Sequence, residues 1–212
     1  MNGWLKSMTV VMALALMVGA CGDMFANHAG GVFLMAKPKL IINDKKVSFS
    51  PGQTILEAAD AAGIYIPRLC ALKDLSPYGS CRVCTVLCNG RPQAACTQPV
   101  AEGMVVENET DKVKEIRKGI IEMLFVEGNH FCMFCEKSGN CELQALAYRF
   151  QMLVPGYPYL FPKKQLDGQH QDFYIDRNRC ILCGRCVRAS EELDGKSVFW
   201  QAAQFSSNSL FP

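Results

Sequence analysis

Lys39-Leu40-Ile41-Ile42-Asn43-Asp44-Lys45-Lys46-Val47-Ser48-Phe49 leads through Pro51-Gly52 into Thr54-Ile55-Leu56-Glu57-Ala58-Ala59-Asp60-Ala61-Ala62-Gly63. The first half reads as two short strands, Lys39 to Ile42 and Val47 to Phe49, around the turn Asn43-Asp44-Lys45-Lys46. Thr54 and Glu57 form a capping box, which predicts a helix through Ala62, stopped by Gly63. Ile55, Ala58, Ala59 and Ala62 give that helix an apolar face. Downstream, Val83 to Cys88 is a strand, Asn89-Gly90 a hairpin turn, and a returning strand runs toward Cys96. Met104-Val105-Val106 is one more short strand. Two strands, a helix and further strands predict a small α+β domain ending near residue 108.

Beyond it the period changes. Val113, Ile116, Ile120, Ile121 and Leu124 recur at helical spacing between Asp111 and Val126. A second helix is predicted from Glu142 to about Met152. Pro155, Pro158 and Pro162 mark an extended linker, Phe173-Tyr174-Ile175 a short strand, and Cys186 to Leu193 a helix. With 212 residues, half of them hydrophobic, the chain can build a core without cross-links. A formal net charge of +2 gives no electrostatic case for nucleic acid. Twelve cysteines among 212 residues fall below the density of a disulfide scaffold. Their spacing, rather than their number, carries the chemistry.

Cys70, Cys81, Cys84 and Cys96 form the first group, with Tyr78-Gly79-Ser80 placed to curl backbone amides toward bound sulfur. Four thiolates suit a [2Fe–2S] cluster, and they also suit zinc. The strand–strand–capped-helix pattern before them favours the ferredoxin reading. Cys88 lies on the strand beyond Cys84 and reads as a buried structural thiol. Cys132, Cys135 and Cys141, with His130 just upstream, form the second group. Three thiolates and an imidazole can hold a [4Fe–4S] cluster, and the neutral ligand should raise its potential. Cys180, Cys183 and Cys186 form the third group, in a Cys-x2-Cys-x2-Cys run that signals a [4Fe–4S] cluster and is poor for zinc. A bacterial ferredoxin would place a fourth cysteine at position 190, where this chain has Ser190, and no cysteine follows Cys186. His28 and His170 read as solvent residues and Lys163-Lys164 as a solvated pair. No dinucleotide-binding Gly-x-Gly-x-x-Gly and no P-loop is present, so no catalytic residue and no nucleotide site is assigned.

The N-terminus points elsewhere. Lys6 precedes an apolar run from Met8 to Val18, and Val18-Gly19-Ala20-Cys21 resembles a bacterial lipobox, which would make an exported lipoprotein anchored at Cys21. The run is short for a membrane span of about 20 residues. The metal-ligand spacings need no oxidising compartment. There is no twin-arginine pair, and Met35-Ala36-Lys37-Pro38-Lys39 leads straight into a strand. The expectation is a signal-like or spurious extension over 1–34 and a cytoplasmic protein that starts at Met35, without a membrane partner.

The three cysteine groups in this order, over about residues 36–199, resemble the N-terminal part of the large iron–sulfur subunit of respiratory complex I. They are also similar to the N-terminal region of [FeFe]-hydrogenases and to the small diaphorase subunit of NAD-reducing [NiFe]-hydrogenases. The short chain, and Glu127-Gly128-Asn129-His130-Phe131-Cys132-Met133-Phe134-Cys135-Glu136-Lys137-Ser138-Gly139-Asn140-Cys141-Glu142-Leu143-Gln144, look most like the last. The resemblance implies a [2Fe–2S] ferredoxin-like (β-grasp) domain over 35–108. It then implies a helical and loop region with a His/Cys3 [4Fe–4S] site over 109–155 and a second [4Fe–4S] site over 156–212. The implied function is electron transfer between a flavin- and NADH-binding diaphorase subunit and hydrogenase subunits. Two positions depart from the family. Its pattern is His-x3-Cys, whereas Gly128 stands there and His130 is the histidine candidate. The family's downstream Cys-Pro is missing, and the tail after Phe199 does not resemble it, so the third site is expected to be incomplete in a truncated or frameshifted C-terminus.

Overall fold

The computed structural model describes residues 38–169, 171–172 and 174–199, all within one compact unit that begins at Lys37. The expectations for 1–34, His170, Phe173 and the tail after Phe199 lie outside the described residues.

Strands β1 (Lys39–Ile42), β2 (Lys45–Ser48), β3 (Thr85–Cys88), β4 (Arg91–Ala94) and β5 (Val105–Glu107) form a five-stranded sheet in the order β2-β1-β5-β3-β4. Only β1 and β5 run parallel; the other pairs are antiparallel. The first turn is tighter than its sequence implied. Asn43 (φ 46) and Asp44 (φ 65) close it alone, as both do in the hairpin turn whose twist matches the strands, and Lys45 and Lys46 join β2. Asn89 and Gly90 do the same between β3 and β4. Pro92, which cannot donate to a ladder, sits on the edge strand β4.

Helix α1 (Ile55–Ala61) has both halves of the capping box, Thr54 accepting from the Glu57 amide and Glu57 accepting from the Thr54 amide. It buries Ile55, Leu56, Ala58 and Ala59 against Leu40, Ile42, Val86 and Val106. Ala62, placed on the apolar face by periodicity, caps the helix and is exposed.

Helix α2 (Asp111–Val126) packs on β3, so every residue of that strand is buried. Its buried spine is Val113, Arg117, Ile121 and Phe125, at strict i, i+4 spacing. Ile116, Ile120 and Leu124, predicted to face the core, are only half-buried. An arginine holds the central position because three acceptors meet it there. Arg117 donates from Nε to the Thr85 carbonyl (2.9 Å), from Nη1 to the Asn108 carbonyl (3.0 Å) and from Nη2 to Asn108 Oδ1 (2.6 Å). Burial lowers its pKa to about 10, so it stays charged at neutral pH.

A second core straddles the sequence boundary near residue 108. Leu69, Val83, Ile121, Phe125, Leu143 and Leu146 pack there together with Cys70 and Cys81. Helix α3 (Glu142–Arg149) supplies Leu143, Leu146 and Ala147 and ends three residues before the predicted Met152. The proline segment has no strand or helix, but it is tied to α2. Gly156 N–H donates to Glu122 and Leu160 N–H to the Val126 carbonyl. Strands β6 (Leu166–Asp167), which the sequence did not announce, and β7 (Ile175–Asp176) pair antiparallel. The last helix is a single α-turn, α4 (Arg185–Arg188), continued as a wider π-turn over Ala189–Leu193. Among the described residues no helix is long and apolar enough to cross a membrane.

Candidate metal centres

The first group closes completely. Cys70, Cys81, Cys84 and Cys96 are between 0% and 5% exposed, although they come from two loops and the end of the β4 hairpin. The Cys70 amide donates to Cys81 Sγ at 3.3 Å, and the two sulfurs are themselves 3.3 Å apart. Sulfur crowding divides the thiols. The Cys81 and Cys96 thiols, as donors, hold Cys70 well below the ordinary thiol range, and Cys96 lowers Cys84 to about 7. The donors are pushed up correspondingly, Cys81 by Cys70 and then by burial, Cys96 by Cys70 and Cys84. The loop approaches Cys81 through Gly79 (φ +72), where a Cβ would lie 2.9 Å from Thr97 Cγ2. Cys88, in contrast, is buried in the apolar core of the sheet, and desolvation alone raises its pKa.

The second group lines a cavity of about 490 Å³ with His130, Cys132, Cys135 and Cys141 in its wall. Cys132 opens a short turn over Cys132–Phe134, and Cys141 is the N-cap residue of α3. The loop between them is held by Gln144, which accepts from the Gly139 amide (2.8 Å) and donates to Ser138 Oγ (3.3 Å). The His130 ring packs on Phe125 with centroids 5.6 Å apart. Its Nε2 is buried and has no hydrogen-bond partner. Burial first, and then Arg179, lower its pKa, so the imidazole is neutral and its free nitrogen can donate a lone pair. Among the described residues no three His, Cys, Asp or Glu side chains converge as they would on a single metal ion. The four side chains share the wall of one cavity, which has room for a polynuclear cluster.

Gly128 explains how His130 fits. A Cβ at 128 would stand 2.6 Å from His130 Nε2 and 2.8 Å from the Asn178 carbonyl, so the imidazole occupies space that a side chain at 128 would fill. Any side chain at 128 would therefore compete with the imidazole of His130 for one volume. Gly128→Ala is therefore expected to displace the imidazole and to shift or remove the EPR signal of the second centre while leaving that of the first. An unchanged second signal would show that His130 does not need its present position.

The third group is less enclosed: Cys180 and Cys186 are exposed and Cys183 is half-buried. Ser190 is buried, and its Oγ accepts from the Val198 amide at 2.9 Å, so this position closes the following loop. What joins the groups is a set of arginines that the sequence reading passed over. Arg188 Nη2 donates to the carbonyls of both Cys70 (2.6 Å) and Cys183 (3.3 Å), Nη1 donates to the Ser76 carbonyl (2.5 Å), and the guanidinium lies over the Tyr78 ring. Arg185 pairs with Glu142 at the start of α3 (2.7 Å) and donates to the Ala71 carbonyl (3.3 Å). Arg179 reaches Cys135 Sγ at 3.4 Å. Cys183 lines the cavity of the second group as well.

Residues 37–111 match the family model of a 2Fe-2S iron-sulfur cluster binding domain, and residues 117–154 that of the NADH-ubiquinone oxidoreductase-G iron-sulfur binding region. The first match shows a [2Fe–2S] domain over the segment that contains the buried four-cysteine group. The chain is 41% identical over 162 residues to the NAD-reducing hydrogenase HoxS subunit gamma of Cupriavidus necator, with 76% of this chain and 69% of that subunit aligned. It is 32% identical over 174 residues to the NADH-ubiquinone oxidoreductase 78 kDa subunit of Candida albicans, covering 80% of this chain but only 24% of that subunit. A crystal structure of NAD+-reducing [NiFe]-hydrogenase in the H2-reduced state contains a similar chain, with a TM-score of 0.73 and 46% identity over 76% of this chain and 69% of that one. Buried thiols at the first centre, a donor-lined cavity at the second, and these matches across both lead to one conclusion: this chain belongs to the family of iron–sulfur electron-transfer proteins that includes the gamma subunit of NAD-reducing hydrogenase.

Proposed function

We propose that this chain relays single electrons between a flavin- and NADH-binding diaphorase subunit and hydrogenase subunits, in the cytoplasm. In this reading Cys70, Cys81, Cys84 and Cys96 hold the [2Fe–2S] cluster within a working unit over 35–108. His130, Cys132, Cys135 and Cys141 hold a [4Fe–4S] cluster over 109–155, and Cys180, Cys183 and Cys186 hold a second over 156–212. Bound clusters supply one-electron redox chemistry; the protein supplies ligands, burial and hydrogen bonds. The observation that carries the reading is the Arg188 guanidinium. One nitrogen touches the main chain of a first-group and of a third-group cysteine, while Cys183 shares the second group's cavity. Three centres packed this closely suit a relay better than separate structural staples.

The test is anaerobic purification of the full chain, iron and sulfide analysis, and EPR with and without a diaphorase subunit. NADH alone is expected to leave the clusters oxidised, because no dinucleotide motif is present. NADH with the diaphorase subunit should reduce them. Colourless zinc protein, or clusters that dithionite reduces but the NADH-driven pair does not, would overturn the proposal. Three cysteines leave one iron of the third cluster without a protein thiolate. Iron is therefore expected to fall below about ten per chain on mild oxidation, the total implied by one [2Fe–2S] and two [4Fe–4S] clusters. A count that stays at ten would show that the third site is complete.

A further inference from the structure

The turn between β7 and the third cysteine group places a charge pair against the second centre. Arg179 donates from Nη1 to Cys135 Sγ (3.4 Å), and its Nε is 3.1 Å from Asp176 Oδ2. Neither side chain is loose. The Asp176 carboxylate accepts from the Asn178 amide (3.0 Å) and from Asn178 Nδ2 (3.1 Å). Asn178 in turn donates to the Lys164 carbonyl (2.9 Å) and accepts, through its Oδ1 and its carbonyl, from the Asn129 side chain and amide (2.9 Å each). Asn129 stands between Gly128 and His130, so the turn that carries the arginine is anchored to the strand of chain that presents the imidazole. Other charges in the cavity wall come from Glu136, Lys137, Glu142 and Arg185, but Arg179 is the one seen to donate to a ligand sulfur.

We propose that Arg179 and Asp176 are positioning residues that set the reduction potential of the second centre in opposite directions. The inference rests on the reading of that centre as an iron–sulfur cluster. An added electron makes the centre more negative. A guanidinium hydrogen-bonded to a ligand sulfur stabilises the reduced form more than the oxidised form, and so raises the potential. The Asp176 carboxylate offsets part of that charge and lowers the potential. Because Arg179 also adjoins Cys180, the same pair fixes the approach of the third group to the second.

The test is a dithionite redox titration of the anaerobically loaded full chain, followed by EPR at fixed ionic strength. The second-centre signal is defined as the one lost in Cys141→Ser. Arg179→Gln is expected to lower the equilibrium constant for reduction about tenfold, which for a one-electron couple is a shift of about 59 mV. Asp176→Asn, which keeps the acceptor for the Asn178 amide, should raise it. Arg179→Lys, which keeps the charge but loses the planar fork, should fall between Arg179→Gln and wild type. Shifts of the same sign in the Arg179→Gln and Asp176→Asn variants, or no shift with the signal intact, would overturn the inference while leaving the cluster reading standing. So would loss of the signal in Arg179→Gln together with an unshifted Asp176→Asn, since the arginine would then only hold the fold. A wild-type chain without the assigned signal would overturn the cluster reading itself, and the inference with it.

Discussion

Serine at position 81 or 84 is expected to abolish or strongly perturb the reduced [2Fe–2S] EPR signal, whereas serine at 88 should leave it intact. All three cysteines are buried and lie within eight positions of one another, so burial and proximity along the chain do not separate them. Their surroundings do. Cys81 Sγ stands 3.3 Å from Cys70 Sγ and receives the Cys70 amide, and Cys84 has its pKa lowered to about 7, chiefly by Cys96. Cys88 has only the apolar core around it, and its pKa is raised by burial. Geometry, not acidity, separates them: Cys81 stands in contact with another cysteine sulfur of the group, whereas Cys88 meets only apolar side chains. The loss at 81 or 84 should be close to complete at stoichiometric iron, because a [2Fe–2S] cluster uses four ligands. A signal that survives in both of those variants and disappears in Cys88→Ser would reverse the ligand assignment.

Arg117→Met should destabilise the protein by about 3–5 kcal/mol, since each buried acceptor left without a donor costs about 1–3 kcal/mol. The substitution retains most of the apolar stem but strands the Thr85 carbonyl, the Asn108 carbonyl and Asn108 Oδ1, all of which the guanidinium satisfies. Asn108 is 1% exposed, so water cannot readily replace the lost donors. Asn108 also donates from its side chain to the Tyr65 carbonyl (2.9 Å) and from its backbone N–H to Asn43 Oδ1 (2.8 Å). The damage would thus spread to the first hairpin and to the segment leading into Cys70. For a unit of this size the melting temperature should drop by about 10 °C, read by circular dichroism on the loaded protein. Arg117→Lys should recover only part of it, because one ammonium cannot reproduce the forked geometry. A change below about 1 kcal/mol would mean that the helix–sheet contact does not depend on this arginine.

Local patterns carried much of the molecule into view. The Thr54/Glu57 box, the Asn89-Gly90 turn and the stop at Gly63 depend on residues within a few positions of each other, and each is found where the sequence placed it. The two-residue strand β6 was missed because Leu166-Asp167 is too short to show a period, and it is held only by its partner Ile175-Asp176. The predicted face of α2 was off by one position for a related reason. Periodicity counts apolar residues, and the centre of the real face is an arginine whose donors are satisfied by acceptors elsewhere in the chain. Its position four residues after Val113 and four before Ile121 was the available signal.

The cysteine spacings by themselves marked out three metal-binding groups and, for Cys180, Cys183 and Cys186, favoured a [4Fe–4S] cluster over zinc, because ligand type and separation along the chain are local properties that metal clusters constrain tightly; for the first group they left zinc open. His130 stood out as a candidate by its place two residues before Cys132. Only the tertiary structure decided its setting: its ring occupies the volume left open above Gly128, and its Nε2 is buried without a partner. The same holds for the arrangement of the centres. Arg188 joins Cys183 to Cys70 across 113 positions of sequence, and Arg179 joins the turn before Cys180 to Cys135 across 44. Nothing in the neighbourhood of an arginine along the chain announces such contacts, since a guanidinium finds its acceptors through the fold, by charge and hydrogen-bond geometry, and not through sequence distance.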